Sequence, residues 1–260
     1  MLDKATIESR LSEKGIAVPK ITYYPLTDST NERAKVYATE HPEDETTSVF
    51  IADEQSAGRG RRGRSFVSNR GSGIFITLLT HPKKSGTDAT RVTAKAAVAL
   101  ARAVERVAGV RCDVKWVNDL FLGGKKLAGI LVEGSMTEDG KTAYVITGMG
   151  INVYKNAISD EISDIATSIE SETGKRIERG ELAAEIIAQF LHVTEEMSDE
   201  EAFAEYKSRS FVIGREVKVI KLLETYLATV KDIQSDYSLL IKKENGETES
   251  LFTGEVSLRI

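Results

Sequence analysis

Residues Gly58-Arg59-Gly60-Arg61-Arg62-Gly63-Arg64 set four guanidinium groups among three glycines. Arginine forks match phosphate and carboxylate oxygens, and glycine lets the backbone come close to a ligand. The G-x-G-x-x-G spacing is met, but no helical pattern follows it and the variable positions are arginines, so it is a poor dinucleotide fingerprint. The competing reading is a solvated basic loop or a nucleic-acid contact, which the lack of interleaved aromatic residues weakens. A second cluster runs Lys115-Trp116-Val117-Asn118-Asp119-Leu120, followed by Lys125-Lys126-Leu127-Ala128-Gly129-Ile130-Leu131. Two cations near one acid–amide pair suit an anionic, magnesium-bound substrate such as ATP. A plain hairpin turn is the alternative, since Asn-Asp favours turns. Gly148-Met149-Gly150-Ile151-Asn152 points either to close backbone approach with an amide presented by Asn152, or to a structural bulge. Asp28-Ser29-Thr30-Asn31 could bind a small polar ligand or simply cap a helix, and the two roles are compatible.

The elements that must position these groups follow from periodicity and turn chemistry. A short helix is expected over 6–14, stopped by Gly15, then a strand at 21–25 and a helix at 31–40. Strands are expected at 48–53, 73–80 and 110–117, with a helix at 90–108 ended by Gly109. Residues 120–134 read as two strands joined across Gly123-Gly124, and Asp139-Gly140 turns the chain into a strand over 142–153. Two amphipathic helices, 181–197 and 199–208, come next. Beyond Phe211 the pattern is short strands only, with a turn at Asn245-Gly246, which suggests a small barrel. The expected fold is α+β: a mixed-sheet domain over 1–210 followed by a β-barrel over 211–260, the boundary falling near 208–214.

Composition narrows the function classes. The 260 residues are 41% hydrophobic and 29% charged, as in ordinary globular proteins. A net charge of −5 provides no global basic field for nucleic acid or anionic membrane. Cys112 is the one cysteine, which excludes an intrachain disulfide and a cysteine-built metal site and fits a reducing compartment. No run is apolar enough for a signal peptide or a bilayer span, so a cytoplasmic location without nucleic-acid or membrane partners is expected.

Taken in order, DSTN (28–31), ADEQSAGRGRRGR (52–64), KWVNDL (115–120), KKLAGILVE (125–133), GMGIN (148–152) and GEVSLR (254–259) resemble the biotin–protein ligase family. The likeness runs from about residue 21 to the end. It implies a mixed-sheet catalytic domain of the biotin/lipoate ligase type, followed by an SH3-like barrel. It also implies biotin and ATP as substrates, Mg2+, and a biotin carboxyl carrier protein as partner, with a homodimer compatible. By resemblance Ser29, Thr30, Asn31 and Gln55 hold the ureido ring. Arg59, Gly60 and Arg61 belong to a covering loop, and Arg61 and Lys126 are the catalytic cations between biotin carboxylate and α-phosphate. Phe66, Lys115, Asn118, Asp119 and Asn152 join Arg59 and Arg61 on the nucleotide side, with Asp119 a magnesium neighbour. Two positions depart from the family pattern: Val117 replaces proline and Phe66 replaces tryptophan. Phenylalanine can still cover a ring but loses an indole donor. The roughly 27 residues before DSTN are too few for the helix-turn-helix domain some members carry, so an enzyme-only form is expected.

Two consequences follow for the loop. In the implied reaction an anhydride must be shielded from water, which makes 58–71 a lid. Fixing backbone costs roughly 1–2 kcal/mol per residue, about 6–12 for Gly58 to Gly63. Charge-assisted hydrogen bonds return about 1.5–3 each, so disorder is expected without ligand. The rival readings are a lipoate or fatty-acyl ligase of the same fold, whose R-R-x-S/T-G-G-G-type segment is absent here, and a nucleic-acid-binding regulator using the 59–64 arginines.

Overall fold

A computed structural model describes residues 1–82, 88–137, 139, 141–221, 224–252 and 255–258. Gly140 of the expected Asp139-Gly140 turn, Leu222, and Gly254 and Arg259 of GEVSLR lie outside the described residues.

The chain folds as α1 (Lys4–Glu13), β1 (Lys20–Tyr24), α2 (Thr30–Glu40), β2 (Ser48–Ala52), β3 (Gly73–Thr80), α3 (Ala89–Ala108), β4 (Asp113–Lys115), β5 (Asp119–Leu122), β6 (Lys125–Met136) and β7 (Thr142–Asn152). Then follow α4 (Ile169–Thr173), α5 (Arg179–Leu191), α6 (Asp199–Arg209) and strands β8 (Glu216–Ile220), β9 (Thr225–Ile233), β10 (Leu239–Lys243), β11 (Thr248–Leu251) and β12 (Glu255–Leu258). Strands β1 to β7 form one sheet in the order β1-β2-β3-β7-β6-β5-β4. Only β1 and β2 pair in parallel and the other neighbours are antiparallel, so the sheet is mixed as expected.

Each face of this sheet has its own cover. Ile74, Ile76 and Leu78 of β3 join the main core with α1, α3 and α5, while Leu79 and Phe50 pack on Ala34 and Ala38 of α2. Helix α3 is capped by Asp88, which accepts from Thr90 N, and by Gly109 at φ 73°. Ala94, Ala96, Ala97, Ala99, Ala101 and Ala103 are all buried along it, so small side chains let it sit tightly between sheet and helices.

One expectation is corrected. The 110–117 strand is three residues long, because Trp116 and Val117 leave the ladder for a buried turn, and their peptide bond is cis. The expected C-terminal strands form a five-stranded antiparallel sheet, β11-β10-β9-β8-β12, and among the described residues no pairing joins β11 to β12.

The tight seat of α3 can be tested. Ala97→Leu should lower unfolding free energy by about 1–3 kcal/mol by overpacking, seen as a lower urea midpoint at unchanged slope.

Candidate active site

Three segments far apart in sequence meet on the α2 face of the sheet: the α2 N-terminus, the 58–66 loop and the strands β3, β7 and β6. A cavity opens between them, lined by Ser29, Thr30, Asn31, Gln55, Arg59, Gly60, Arg61, Phe66, Phe75, Asn118, Lys126, Gly129, Leu131, Gly148 and Gly150, among others. Strand alternation supplies its floor. Cross-strand pairs Gly129–Gly150 and Leu131–Gly148 bring glycines side by side. A Cβ at Gly148 would overlap Asn31 Oδ1, and one at Gly150 would come 2.8 Å from the Phe66 ring. These glycines therefore admit side chains from other elements. The bulge weighed for 148–152 is absent, because β3 and β7 pair in continuous register.

One end of the cavity is polar and almost dry. Ser29, Thr30 and Asn31 are 4–5% exposed. Gln55 Oε1 accepts from Thr30 N at 2.8 Å and lies 3.1 Å from Thr30 Oγ1. Gln55 thus does the capping that the sequence suggested for Ser29, whose hydroxyl makes no cap bond and borders the cavity instead. Thr77 Oγ1 lies 2.8 Å from Thr30 Oγ1 and 2.7 Å from Asn31 Oδ1. Asn31 Nδ2 donates to Glu133 at 2.9 Å. Thr77 and Glu133 were not singled out from sequence, although both stand on the cavity-facing register of their strands.

The other end carries the cations. Arg61 Nη1 donates to Asn118 Oδ1 at 3.0 Å, and Lys126 Nζ donates to Asp119 Oδ1 at 2.8 Å. Asn118 Nδ2 links the two by donating to Asp119 Oδ1 (3.0 Å) and to the Ile130 carbonyl (3.1 Å). A β-bulge makes this possible. Leu120 pairs with Ala128 but Phe121 pairs with Lys126, leaving Leu127 extra. Leu127 and Ala128 both enter the core, and Lys126 and Gly129 both face the cavity. The Lys126 backbone is held by Ile165 O and Thr167 N, each at 2.9 Å.

The 58–66 loop has a defined local fold. Gly60 N donates to Arg64 O (2.7 Å) and Phe66 N to Gly58 O (2.9 Å), with a 3-10 turn at Arg61–Gly63 between the two legs. Arg59 reaches Glu32 (3.1 Å) and Glu133 (3.2 Å). These acidic and amide partners add to the loop's own backbone bonds against the entropy cost of ordering it. Phe66 leans over Gly129 and Gly150 and meets Phe75 edge-on, with ring centres 6.3 Å apart.

Three expected site residues stand off the cavity wall. Asp119 reaches it through Lys126 and Asn118. Asn152 is buried with Nδ2 donating to Thr167 O at 3.1 Å, and Lys115 Nζ lies 5.9 Å from the centre of the Phe121 ring.

Residues 23–152, half of the 260-residue chain, match the biotin/lipoate A/B protein ligase family. The chain belongs to that family. It is 29% identical over 252 residues to the bifunctional ligase/repressor BirA of Bacillus subtilis, covering 92% of this chain and 74% of that one. It is 36% identical over 157 residues to the biotin–[acetyl-CoA-carboxylase] ligase of Paracoccus denitrificans, covering 58% of this chain and 63% of the relative. In structure it is similar to the biotin protein ligase of Aquifex aeolicus solved with biotin and ATP: TM-score 0.76, 27% identity, 92% of this chain and 98% of that one. No helix among the described residues is long and apolar enough to cross a membrane.

The Phe66 seat generates a prediction that needs no ligand. Gly150→Ala should push Phe66 off the floor and loosen the loop, so trypsin should cut within 58–66 faster by roughly tenfold at unchanged circular dichroism. Unaltered cleavage would show that Phe66 does not anchor the loop.

Proposed function

We propose that the protein is an ATP-dependent biotin–protein ligase, which makes biotinyl-5′-AMP and passes biotin to a lysine of a biotin carboxyl carrier protein. The observation that carries this reading is the arrangement of two cations, Arg61 and Lys126, on the neighbouring acceptors Asn118 and Asp119 at one end of a slot whose other end is buried and polar. A ureido ring presents one carbonyl acceptor and two N–H donors, which Ser29, Thr30, Asn31 and Gln55 can satisfy. The dithiolane ring of lipoate presents no such groups and would leave those side chains unsatisfied. The relatives named for biotin ligation support the same choice.

In the first step a carboxylate oxygen of biotin attacks the α-phosphorus of ATP and pyrophosphate leaves. Both partners are anionic, so the site must neutralise them together without supplying a competing nucleophile. Lys126 on a strand and Arg61 on the loop do this by charge, at fixed positions in a partly dry site. In the second step the carrier lysine attacks the acyl carbonyl and AMP departs. Phe66 and the folded loop keep water from the anhydride in the interval. Magnesium is proposed to come with the nucleotide. Among the described residues no group of three or more His, Cys, Asp or Glu gathers to hold a resident ion, so phosphates and water would furnish most ligands, with Asp119 the one proposed carboxylate.

The direct test is ATP–pyrophosphate exchange with added biotin, compared with added lipoate. Exchange with biotin alone is expected, and exchange with lipoate in preference would overturn the substrate assignment. Lys126→Ala should reduce the biotin-dependent rate by roughly 10²–10³-fold with the fold intact. Arg61→Gly should behave differently, because it removes a phosphate-facing cation and frees the loop backbone. It should retain part of the exchange activity but leak biotinyl-AMP. The measurement is biotin incorporated into a bystander protein per adenylate formed, and a wild-type ratio would refute a retention role for Arg61.

A further inference from the structure

The turn 116–118, which carries Asn118, lies outside the β4–β5 ladder and is held from the C-terminal side of the molecule. Trp116 is 3% exposed, and its Nε1 donates to the Tyr237 carbonyl at 2.8 Å. Tyr237 belongs to the turn between β9 and β10, where its φ of 64° is left-handed and its N–H donates to Gln234 O at 2.8 Å. Tyr206 of α6 is fully buried and donates its hydroxyl to the Val117 carbonyl at 3.2 Å. The Tyr206 and Tyr237 rings meet edge-on with centres 5.5 Å apart. Trp116 and Val117, the two residues preceding Asn118, thus each have a hydrogen-bond partner beyond residue 200.

We infer that Tyr206 is a positioning residue for the ligase reaction, setting Arg61 through the Val117 carbonyl and the Asn118 amide; this rests on the reading proposed above. Asn118 has its backbone carbonyl engaged by Ile130 N at 2.9 Å and its Nδ2 by Asp119 and Ile130 O, so its Oδ1 direction follows the path of the turn. Arg61, on a loop, donates to that Oδ1 at 3.0 Å, so a shift of the amide is felt at the guanidinium. Removing the Tyr206 hydroxyl leaves the Val117 carbonyl buried without its donor. The peptide then turns toward another partner and carries the Asn118 amide with it. Burial pushes the Tyr206 hydroxyl well above the ordinary tyrosine range, with the charges of Tyr237 and Asp119 adding to the rise and Arg61 opposing it. The group remains a donor at any working pH.

Tyr206→Phe keeps the ring and deletes only the donor. It should raise KM for ATP and weaken binding of a non-hydrolysable biotinyl-adenylate analogue, each by about threefold to tenfold, the scale of one buried hydrogen bond. Binding is read by calorimetry and cross-checked by fluorescence of Trp116, the only tryptophan in the chain. In an Asn118→Ala background the same change should have no further effect on either quantity. Phe203→Leu is the structural control. Phe203 packs edge-on against Tyr237 at 5.4 Å and reaches neither turn carbonyl nor Asn118, so it should lower Tm with binding and KM unchanged. A folded Tyr206→Phe protein with wild-type KM and analogue affinity overturns the inference alone. So does an equal effect of Tyr206→Phe with and without Asn118. A wild-type protein that binds no adenylate analogue overturns the ligase reading and the inference with it.

Discussion

Two cations facing one small volume repel each other, and near a protein surface the repulsion at 4 Å is about 4 kcal/mol. Arg61 and Lys126 are held on the same cavity wall, so the fold must compensate for this before any anion arrives. It does so with the dipeptide Asn118-Asp119. The carboxylate takes the lysine, the amide oxygen takes the arginine, and the amide N–H locks the acceptors together. Both acceptors, an amide oxygen and a carboxylate oxygen, are groups that phosphate oxygens can replace.

Much of the remaining architecture can be understood as what this pairing requires. Asn118 needs a rigid turn, and β4, α6 and the β9–β10 turn supply it through Trp116, Val117 and Tyr206. Lys126 needs the cavity face of β6, which regular alternation from Gly129 would deny it. The bulge at Leu127 restores that face, while the 165–167 segment fixes the backbone on the other side. Arg61 needs a short loop that can approach the sheet, and glycines at 129, 148 and 150 clear the floor for Phe66 and Asn31.

The sequence made the individual pieces legible and left their mutual addresses hidden. Gly148 and Gly150 left close approach and a bulge both open, and nothing local named Asn31 or Phe66 as the approaching groups. Lys126 was placed on a strand correctly. Its bulge had a faint signal in the adjacent apolar pair Leu127-Ala128, which breaks the alternation of a half-exposed strand. The 28–31 segment left capping and ligand binding both open; in the fold Gln55, 25 residues beyond Thr30, bonds the Thr30 N–H, while Ser29 makes no cap bond and borders the cavity. The resemblance puts Asn152 on the nucleotide side, and its bond to the Thr167 carbonyl is a partner invisible to local pattern. The C-terminal strands were legible from β-branched alternation, whereas closure depends on edge pairing that no single strand encodes.

The loop shows why order in the empty protein does not conflict with a gating role. Its backbone bonds are internal, from Gly60 to Arg64 and from Phe66 to Gly58, so the loop can move as one small unit without melting. Its bonds to the rest of the molecule include those of Arg59 to two glutamates and of Arg61 to the Asn118 amide, with Phe66 resting on glycine. The Arg59 pairs are partly exposed and contribute little each. Opening therefore costs far less than the 6–12 kcal/mol of complete ordering estimated from backbone entropy, about the loss of a few surface contacts. Substrate can enter by displacing a hinged unit, and an adenylate that replaces the amide with a phosphate at Arg61 strengthens the one contact most sensitive to charge. On the proposed function, retention rests on this arginine, with the ligand deepening an arrangement already present in the protein.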